Sequence, residues 1–164
     1  MTTTASNLLV RPATLDDLDV LVDFNAAMAM ETEANPLDRA VLHAGVAGVL
    51  AESRRGFYLV AECADVVAGC LMITCEWSDW RNGDWWWLQS VYVRPQYRRS
   101  GVFRALYTEI ERRAAARTDV IGIRLYVEKE NIRAQKTYAA LGLSEEHYRM
   151  YGKTLRTQSN GNAG

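Results

Sequence analysis

The sequence lacks any long hydrophobic run, and it is also poor in cysteine and histidine. No uncharged apolar segment approaches the roughly 18 residues that suggest a membrane-spanning helix, so no membrane partner is expected. The three cysteines, Cys63, Cys70 and Cys75, are odd in number, lack metal-ligand spacing and lie in apolar, strand-like contexts. This pattern is typical of reduced, buried thiols in a cytosolic protein. His43 and His147 are isolated in the sequence, and no metal site is expected.

Several catalytic motifs are absent as well. The chain contains no GxSxG, HExxH, CxxC or Walker sequence, which argues against the common hydrolase, metalloprotease, redox and P-loop NTPase classes. A formal net charge of -1 gives no overall field that would recruit nucleic acid or an anionic membrane. The first seven residues have neither a basic region nor an apolar run, so no secretory signal is expected there. These absences predict a cytoplasmic protein without nucleic-acid partners.

The composition suits one compact domain of mixed secondary structure. With 164 residues, 49% of them hydrophobic, the chain can bury a single core. We predict one domain over residues 8–155, between disordered ends at 1–7 and 156–164. The element order is predicted to be βααβββαβαβ, an α/β fold with helices on the faces of one sheet.

Local patterns place these elements along the chain. Thr14 precedes a run of acidic residues and predicts the start of the first helix. Ala64-Asp65 and Asn82-Gly83 predict turns between strands. In chain order we predict a strand at 8–10, helices at 15–30 and 37–52, strands at 57–62, 66–74 and 85–93, a helix at 101–117, a strand at 122–127, a helix at 131–141 and a strand at 143–155.

The most informative stretch runs from Val91 to Leu106, where an apolar strand leads through a basic loop and a glycine into an amphipathic helix. This order places several backbone N–H groups and the positive end of a helix dipole at one spot, a combination that binds phosphate. A second segment, from Asn131 to Tyr138, follows another strand. Together the two segments predict a protein that binds a pyrophosphate-bearing cofactor beside a tyrosine. An ordinary basic loop before a surface helix is the alternative for the first segment alone.

These residues resemble the GNAT superfamily of acetyl-CoA-dependent N-acetyltransferases, and the resemblance covers residues 8–155. The run Arg98-Arg99-Ser100-Gly101-Val102-Phe103 lies where that family has its (Arg/Gln)-x-x-Gly-x-(Gly/Ala) loop, with Phe103 in place of the final small residue. Asn131 and Tyr138 stand at the family's usual positions on the helix after the fifth strand. The resemblance implies the GNAT fold, with a central mixed, mostly antiparallel sheet, and acetyl-CoA as the acyl donor.

The resemblance also implies how the donor is held. The fourth strand is expected to pair with the pantetheine arm, while an N–H near Val91 stabilises the oxyanion. The loop N–H groups are expected to hold the pyrophosphate, and Tyr138 to act as the general acid for a thiolate with a pKa of about 8.5. A fully paired strand and a core tyrosine are the structural alternatives. The expected cofactor-binding residues are Val91, Tyr92, Val93, Arg98, Arg99, Ser100, Gly101, Val102, Phe103, Arg104 and Asn131.

Within the superfamily, the tryptophan-rich stretch at 77–88 is similar to the polyamine and diamine acetyltransferase branch. That branch carries an acidic pair late in the fourth strand, where this chain has Gln89 and Ser90. An aromatic wall on this stretch would hold a cationic acceptor. A homodimer interface explains the tryptophans equally well, because consecutive side chains of a strand face opposite sides. The acceptor-binding residues expected here are Trp77, Asp79 and Trp80.

An amine acceptor must lose a proton before or during the transfer. An alkylammonium has a pKa near 10.4, so fewer than about one molecule in 10³ is neutral at pH 7. We expect Glu31, at the end of the first helix, to accept the proton. Glu33, which is expected to bind the acceptor, and Asp79 are the next choices. Carboxylates that flank the same regions are Glu76, Asp84 and Glu128.

The sequence therefore predicts an N-acetyltransferase that acts on the primary amine of a small molecule. Direct attack in a ternary complex is expected, because no cysteine lies where a nucleophile is needed. Two alternatives stay open. In the first alternative, the acceptor is a protein N-terminus or a lysine side chain. In the second, the chain is a module that binds acyl-CoA without turnover.

Overall fold

The computed structural model describes residues 8–156 of the chain. These residues form two compact units that divide between Arg124 and Leu125. The first unit contains the five described strands and three helices, and the second contains one helix. Residues 1–7 and 157–164, which belong to the predicted disordered ends, lie outside the described residues.

The elements follow one another in the order predicted as far as the last helix. A 3-10 turn at Leu15–Asp17 leads into the first helix, and its start is fixed because Thr14 N–H donates to Asp17 Oδ2 at 2.7 Å. The elements are β1 (Leu8–Pro12), α1 (Leu18–Glu33), α2 (Arg39–Ala51), β2 (Phe57–Cys63), β3 (Val66–Ser78), β4 (Gly83–Val93), α3 (Val102–Ala115), β5 (Val120–Arg124) and α4 (Ile132–Ala140).

The five strands form one sheet in the order β1-β2-β3-β4-β5. Strands β1 to β4 pair antiparallel, and β5 runs parallel to β4. The β2–β3 hairpin turns at Ala64 and Asp65, whose φ angles of +49° and +63° suit a tight turn matched to the twist of the strands. The predicted mixed, mostly antiparallel sheet is thereby confirmed.

Helices cover both faces of the sheet because side chains of each strand alternate between them. On one face, α1 and α2 pack on a core that contains Leu21, Phe24, Val46, Tyr58, Val60, Cys70 and Tyr92. The residues of β2 and β3 that lie between these face the opposite side of the sheet, which α3 covers. The fully buried side chains on that side are Leu59, Leu71, Ile73, Leu106 and Ile110. Burial of this apolar area is the main favourable contribution to folding.

The contact between β4 and β5 depends on Gly122. The ring of Trp85 lies over this residue, and a Cβ atom at position 122 would sit 2.4 Å from Trp85 Cζ3. The Arg124 guanidinium carbon lies 3.7 Å from the centroid of the same ring, a cation–π contact. Gly122 is therefore required for the two strands to approach with Trp85 in place.

Two predictions about the end of the chain are wrong. No strand forms over Leu143–Leu155 among the residues that the structure describes, where the backbone is irregular and Tyr148 and Tyr151 are exposed. Side-chain alternation gives a segment only a preference for extension, whereas a strand also needs a neighbour that shares its N–H and C=O groups. Strand β5 starts earlier than predicted, because the Asp84 N–H donates to Asp119 O at 2.7 Å and pairing begins there.

Candidate active site

Within residues 8–156, strand β4 has one edge that is paired over less than half its length. Its pairing with β5 covers only Asp84 to Trp87, whereas its pairing with β3 continues to Val93. Arg94 N–H donates to Ala68 O on the β3 side at 2.9 Å. The N–H groups of a strand alternate between its two edges. Those of Val91 and Val93 therefore face the β5 side of β4, at positions with which β5 does not pair. Backbone groups on this edge can pair with an extended ligand.

A β-bulge interrupts β4 just before these residues. Cys70 pairs with Tyr92 and Met72 with Gln89, so Ser90 and Val91 together oppose Leu71. Ser90 has a φ of +49°, a left-handed conformation that an L-residue rarely adopts within a strand. The extra residue lets both Gln89 and Tyr92 face α1. Bulges of this kind re-aim side chains and backbone groups next to active sites.

The loop after β4 has the shape of an anion-binding nest. Arg99 has a φ of +64° and Gly101 a φ of +88°, and helix α3 starts at the next residue. The first helical hydrogen bond is donated by Ala105 N–H to Gly101 O at 2.9 Å, so the N–H groups before Ala105 point out of the helix end. Successive N–H groups at a helix N-terminus favour a phosphate. Ser100 Oγ stabilises the turn by donating to Tyr97 O at 2.5 Å.

Phe103, the departure from the loop pattern, contacts its own helix. Its ring centroid lies 6.1 Å from that of Tyr107, one helical turn later. The contact between the two rings follows from the spacing of residues four apart on a helix. The two left-handed residues of the loop, Arg99 and Gly101, both precede Phe103 in the chain.

Glu31 and Arg98 form an ion pair that joins the end of α1 to this loop. Arg98 Nη2 donates to Glu31 Oε2 at 2.6 Å, and Tyr92 Oη donates to Glu31 Oε1 at 3.0 Å. The Arg98 side chain is also held by Val93 O, which accepts from its Nε at 2.9 Å. Burial, followed by the Glu31 carboxylate, raises the pKa of Tyr92. Both oxygens of the predicted proton acceptor, Glu31, are therefore already hydrogen-bonded, while Glu33 lies exposed at the last residue of α1.

The acceptor-binding residues predicted from the sequence lie at the β3–β4 hairpin. Trp77 is 60% exposed and Trp80 is 87% exposed. Asp79 accepts a hydrogen bond from the Trp80 backbone N–H at 2.9 Å, which orders the turn. The two rings are placed to contact a partner outside the core, as an acceptor wall or an interface requires.

The three consecutive tryptophans of β4 are divided between the faces of the sheet, as side-chain alternation predicts. Trp86 is buried and packs edge-on against Phe57, with ring centroids 5.3 Å apart. Trp85 lies with Trp87 on the opposite face, where Trp87 Nε1 donates to Glu76 Oε2 at 2.5 Å. Glu76 is thus bound by an indole, and its Oε1 also lies 3.6 Å from Arg124 Nη1, while its side chain stays about half exposed.

The second unit carries the other two predicted residues, on and before α4. Asn131 is the N-cap of this helix, since its Oδ1 accepts from Ala134 N–H at 3.1 Å. Burial raises the pKa of Tyr138, so its phenol stays protonated at neutral pH. A protonated phenol has the form that a general acid needs.

Sequence reasoning missed the residues that surround the bulge. The sequence analysis identifies Ser90 only as a departure from an acidic pair, and it assigns no role to Asn25 or Tyr58. A serine with positive φ carries no local sequence signal, because glycine or asparagine is the usual residue in this conformation. Only a pairing register between β3 and β4 reveals the extra residue.

The described residues carry neither a metal centre nor a membrane helix. No group of three or more His, Cys, Asp or Glu side chains within residues 8–156 could hold a metal ion. No helix in the same range is long and apolar enough to cross a membrane.

Comparison with known proteins agrees with this geometry. The model of the acetyltransferase (GNAT) family matches residues 24–143. A "possible acetyltransferase" from Clostridium difficile 630 is 44% identical, with a TM-score of 0.86, and the match covers 92% of this chain and 99% of that chain. No curated protein matches this sequence.

Two more distant structures share the fold. A "predicted acetyltransferase" from Clostridium acetobutylicum, solved with acetyl-CoA, is 16% identical with a TM-score of 0.75, and the match covers 90% of this chain and 96% of that one. AAC(6')-Iy, solved with the bisubstrate analogue CoA-S-monomethyl-acetylneamine, is 18% identical with a TM-score of 0.71, covering 91% and 99%. With a family model that spans most of its length, the chain belongs to the GNAT family of acetyltransferases, which take their acetyl group from acetyl-CoA.

Proposed function

We propose that this acetyltransferase transfers the acetyl group to the primary amine of a small molecule, by direct attack within a ternary complex. The proposal rests on one observation in the first unit: the unpaired edge of β4 leads directly into the loop that has the shape of an anion-binding nest. The open edge of β4, from Leu88 to Val93, runs straight into the left-handed loop at the start of α3. An elongated ligand that ends in a pyrophosphate matches an open strand edge followed by an anion nest.

The donor would be held mainly by backbone groups. Val91 and Val93 present N–H and C=O groups for the pantetheine amides, and Tyr92 between them packs on α1 through Phe24, at 5.0 Å between ring centroids. The N–H groups of the loop from Arg98 to Arg104 would hold the pyrophosphate, with the dipole of α3 behind them. Backbone donors bind a dianion without the entropy loss of long side chains.

Acetyl transfer requires a hydrogen-bond donor to the carbonyl oxygen of the thioester and an acid that protonates the departing sulfur. We assign the Val91 N–H to the oxygen, because it faces the open edge directly after the bulge. We assign Tyr138 to the sulfur: a phenol whose pKa is raised by burial keeps its proton until a thiolate forms nearby. Asn131 supports the same helix as its cap, and we place it beside the donor.

The proposed acceptor residues lie at two places: Glu33 at the end of α1, near Tyr92, and Trp77, Asp79 and Trp80 at the β3–β4 hairpin, at the other end of β4. Trp77 and Trp80 offer exposed aromatic faces for a cation, and Glu33 and Asp79 supply negative charge. Glu31 already accepts one hydrogen bond at each carboxylate oxygen, from Tyr92 and Arg98, so fewer of its acceptor positions remain for an amine. Glu33, which is exposed at the end of α1, and Asp79, at the hairpin, are therefore the alternative proton acceptors, one at each of the two places.

Homodimer formation and a cytoplasmic location are further proposals. Exposed Trp77 and Trp80 support an interface between two copies, since large aromatics are enriched in such interfaces. Three free cysteines, of which Cys70 is buried, support a reducing compartment.

The test is release of free thiol from acetyl-CoA with a broad panel of amines. We expect turnover with one class of small amine, and a loss of at least about tenfold in Tyr138→Phe. Tyr151→Phe, which removes the same hydroxyl from an exposed residue, is the matched control and should keep wild-type activity. Turnover only with peptides would favour the protein acceptor, and CoA binding without any turnover would favour a binding module.

A further inference from the structure

The bulge at Ser90 is held by a buried polar network. Asn25 Nδ2 donates to Leu21 O at 2.9 Å and to Tyr58 Oη at 3.3 Å. The side chains of Tyr58 and Ser90 also interact, and burial raises the pKa of Tyr58, which keeps the phenol neutral. Asn25 and Tyr58 are only 7% and 3% exposed. Polar groups buried this deeply are retained only when they are satisfied by partners.

A thiol completes the network from the neighbouring strand. Cys70 Sγ donates to Ser90 O at 3.5 Å and also interacts with the Tyr92 backbone N–H. Its side chain is fully buried, and burial raises the pKa of Cys70 to about 12, so the thiol keeps its proton for Ser90. The side chain of Ser90 and its carbonyl oxygen are thus each fixed by a separate partner.

This arrangement explains how a left-handed serine persists in the middle of a strand. An L-residue with a φ of +49° brings its Cβ close to the following carbonyl oxygen, so the conformation is unfavourable by itself. Such conformations persist where surrounding contacts over-determine them, and they cluster at functional sites. The residue that directly follows Ser90 is Val91, whose N–H faces the open edge of β4.

We propose that Asn25, Tyr58 and Ser90 form a positioning network for acetyl transfer, which fixes the bulge and so aims the Val91 N–H at the thioester oxygen. The inference rests on the proposed function, because it assigns that N–H to the oxygen. We class the three residues as positioning residues. They act through the backbone, which must hold a donor within a few tenths of an ångström of its productive place.

Two substitutions of one residue separate strain from hydrogen bonding. Ser90→Ala removes the hydroxyl and keeps the unfavourable φ, so the bulge loses its support. Ser90→Gly removes the same hydroxyl, yet glycine adopts a positive φ readily. We expect kcat to fall about tenfold to 100-fold in Ser90→Ala and by less than about threefold in Ser90→Gly. Equal losses in the two variants would overturn the proposal.

Tyr58→Phe tests the network from its other end. We expect kcat to fall about tenfold or more while the Kd for CoA stays within about twofold, and the double variant with Ser90→Ala should be no worse than either single one. Tyr107→Phe, which removes an equally buried phenol on the α3 face, is the control and should keep its kcat. Additive losses, or a loss in both tyrosine variants, would contradict a positioning role.

A spectroscopic readout separates this inference from the proposed function. Acetyl-CoA labelled with ¹³C at the carbonyl should show a displaced carbonyl resonance when bound to the wild type, because a hydrogen bond polarises the carbonyl. The displacement should shrink in Tyr58→Phe and Ser90→Ala and persist in Ser90→Gly, whether or not any amine is acetylated. An unchanged displacement in Tyr58→Phe would refute the network, whereas a wild type without turnover would refute only the proposed acceptor chemistry.

Discussion

Substitution of Gly101 by alanine isolates the contribution of the left-handed loop to donor binding. A Cβ at this position would meet no atom within 4 Å, so the change introduces no steric clash. The whole effect comes from φ, which is +88° at Gly101 and unfavourable for alanine by about 1–2 kcal/mol. Without ligand, the alanine loop relaxes to a negative φ, and CoA must restore the nest on binding. That free energy corresponds to a rise of about 5- to 30-fold in the Kd for CoA.

Gly142→Ala provides a matched control for this prediction. Gly142 has the same φ of +88°, and its added Cβ would also meet nothing within 4 Å, but it ends α4 instead of starting α3. Titration calorimetry with CoA at fixed ionic strength, together with thermal unfolding, measures both variants. Gly142→Ala should lose stability and keep its Kd for CoA within about twofold. Equal Kd values for Gly101→Ala and the wild type, or equal increases in the two variants, would refute a phosphate site at this loop.

Three further predictions concern stability and reactivity. The Arg11 guanidinium donates to both oxygens of Asp17 and holds the pKa of that carboxyl below its usual range, and this contribution to stability is lost as the pH falls through the folded-state pKa. Asp17→Asn should therefore lower the free energy of unfolding by about 2 kcal/mol at pH 7. The difference from wild type should shrink below about pH 4, and equal differences at pH 7 and pH 3 would contradict the role of this ion pair. Gly45→Ala, in the exposed middle of α2 with open space around its Cβ, should raise the free energy of unfolding by about 0.5–1 kcal/mol in urea titrations, and a decrease would contradict that assignment. An aromatic disulfide reagent at pH 8 should modify Cys75 in the native protein and reach Cys70 only after unfolding, because the latter is buried with a pKa of about 12; early modification of Cys70 would show an open core.

The sequence predicted those parts of the fold that have local causes. The Ala64-Asp65 turn, the helix start after Thr14 and the loop before α3 each depend on residue types within a few positions of one another. The family resemblance came from the same local patterns, above all from the Arg98 to Phe103 run. These features were therefore readable before any pairing of strands was known.

The features that failed or were missed depend on distant partners. The strand predicted over Leu143–Leu155 lacks a pairing neighbour in the described structure. The partners of Glu31, the predicted proton acceptor, were missed: Tyr92 and Arg98, which are 61 and 67 residues away in sequence, bind its carboxylate. No periodicity within a single segment reports such pairs, because they arise only when the sheet and α1 come together.

The close approach of Trp85 and Gly122 constrains the order in which these two positions can be substituted during evolution. An alanine at position 122 clashes with the indole, so that substitution is harmful while the tryptophan is present. Loss of the indole first leaves a gap that a methyl group at 122 can then fill. The two positions can therefore diverge along one mutational route and not along its reverse. Deep mutational scanning in the wild-type and Trp85→Leu backgrounds would display this one-way dependence as a change of sign at position 122.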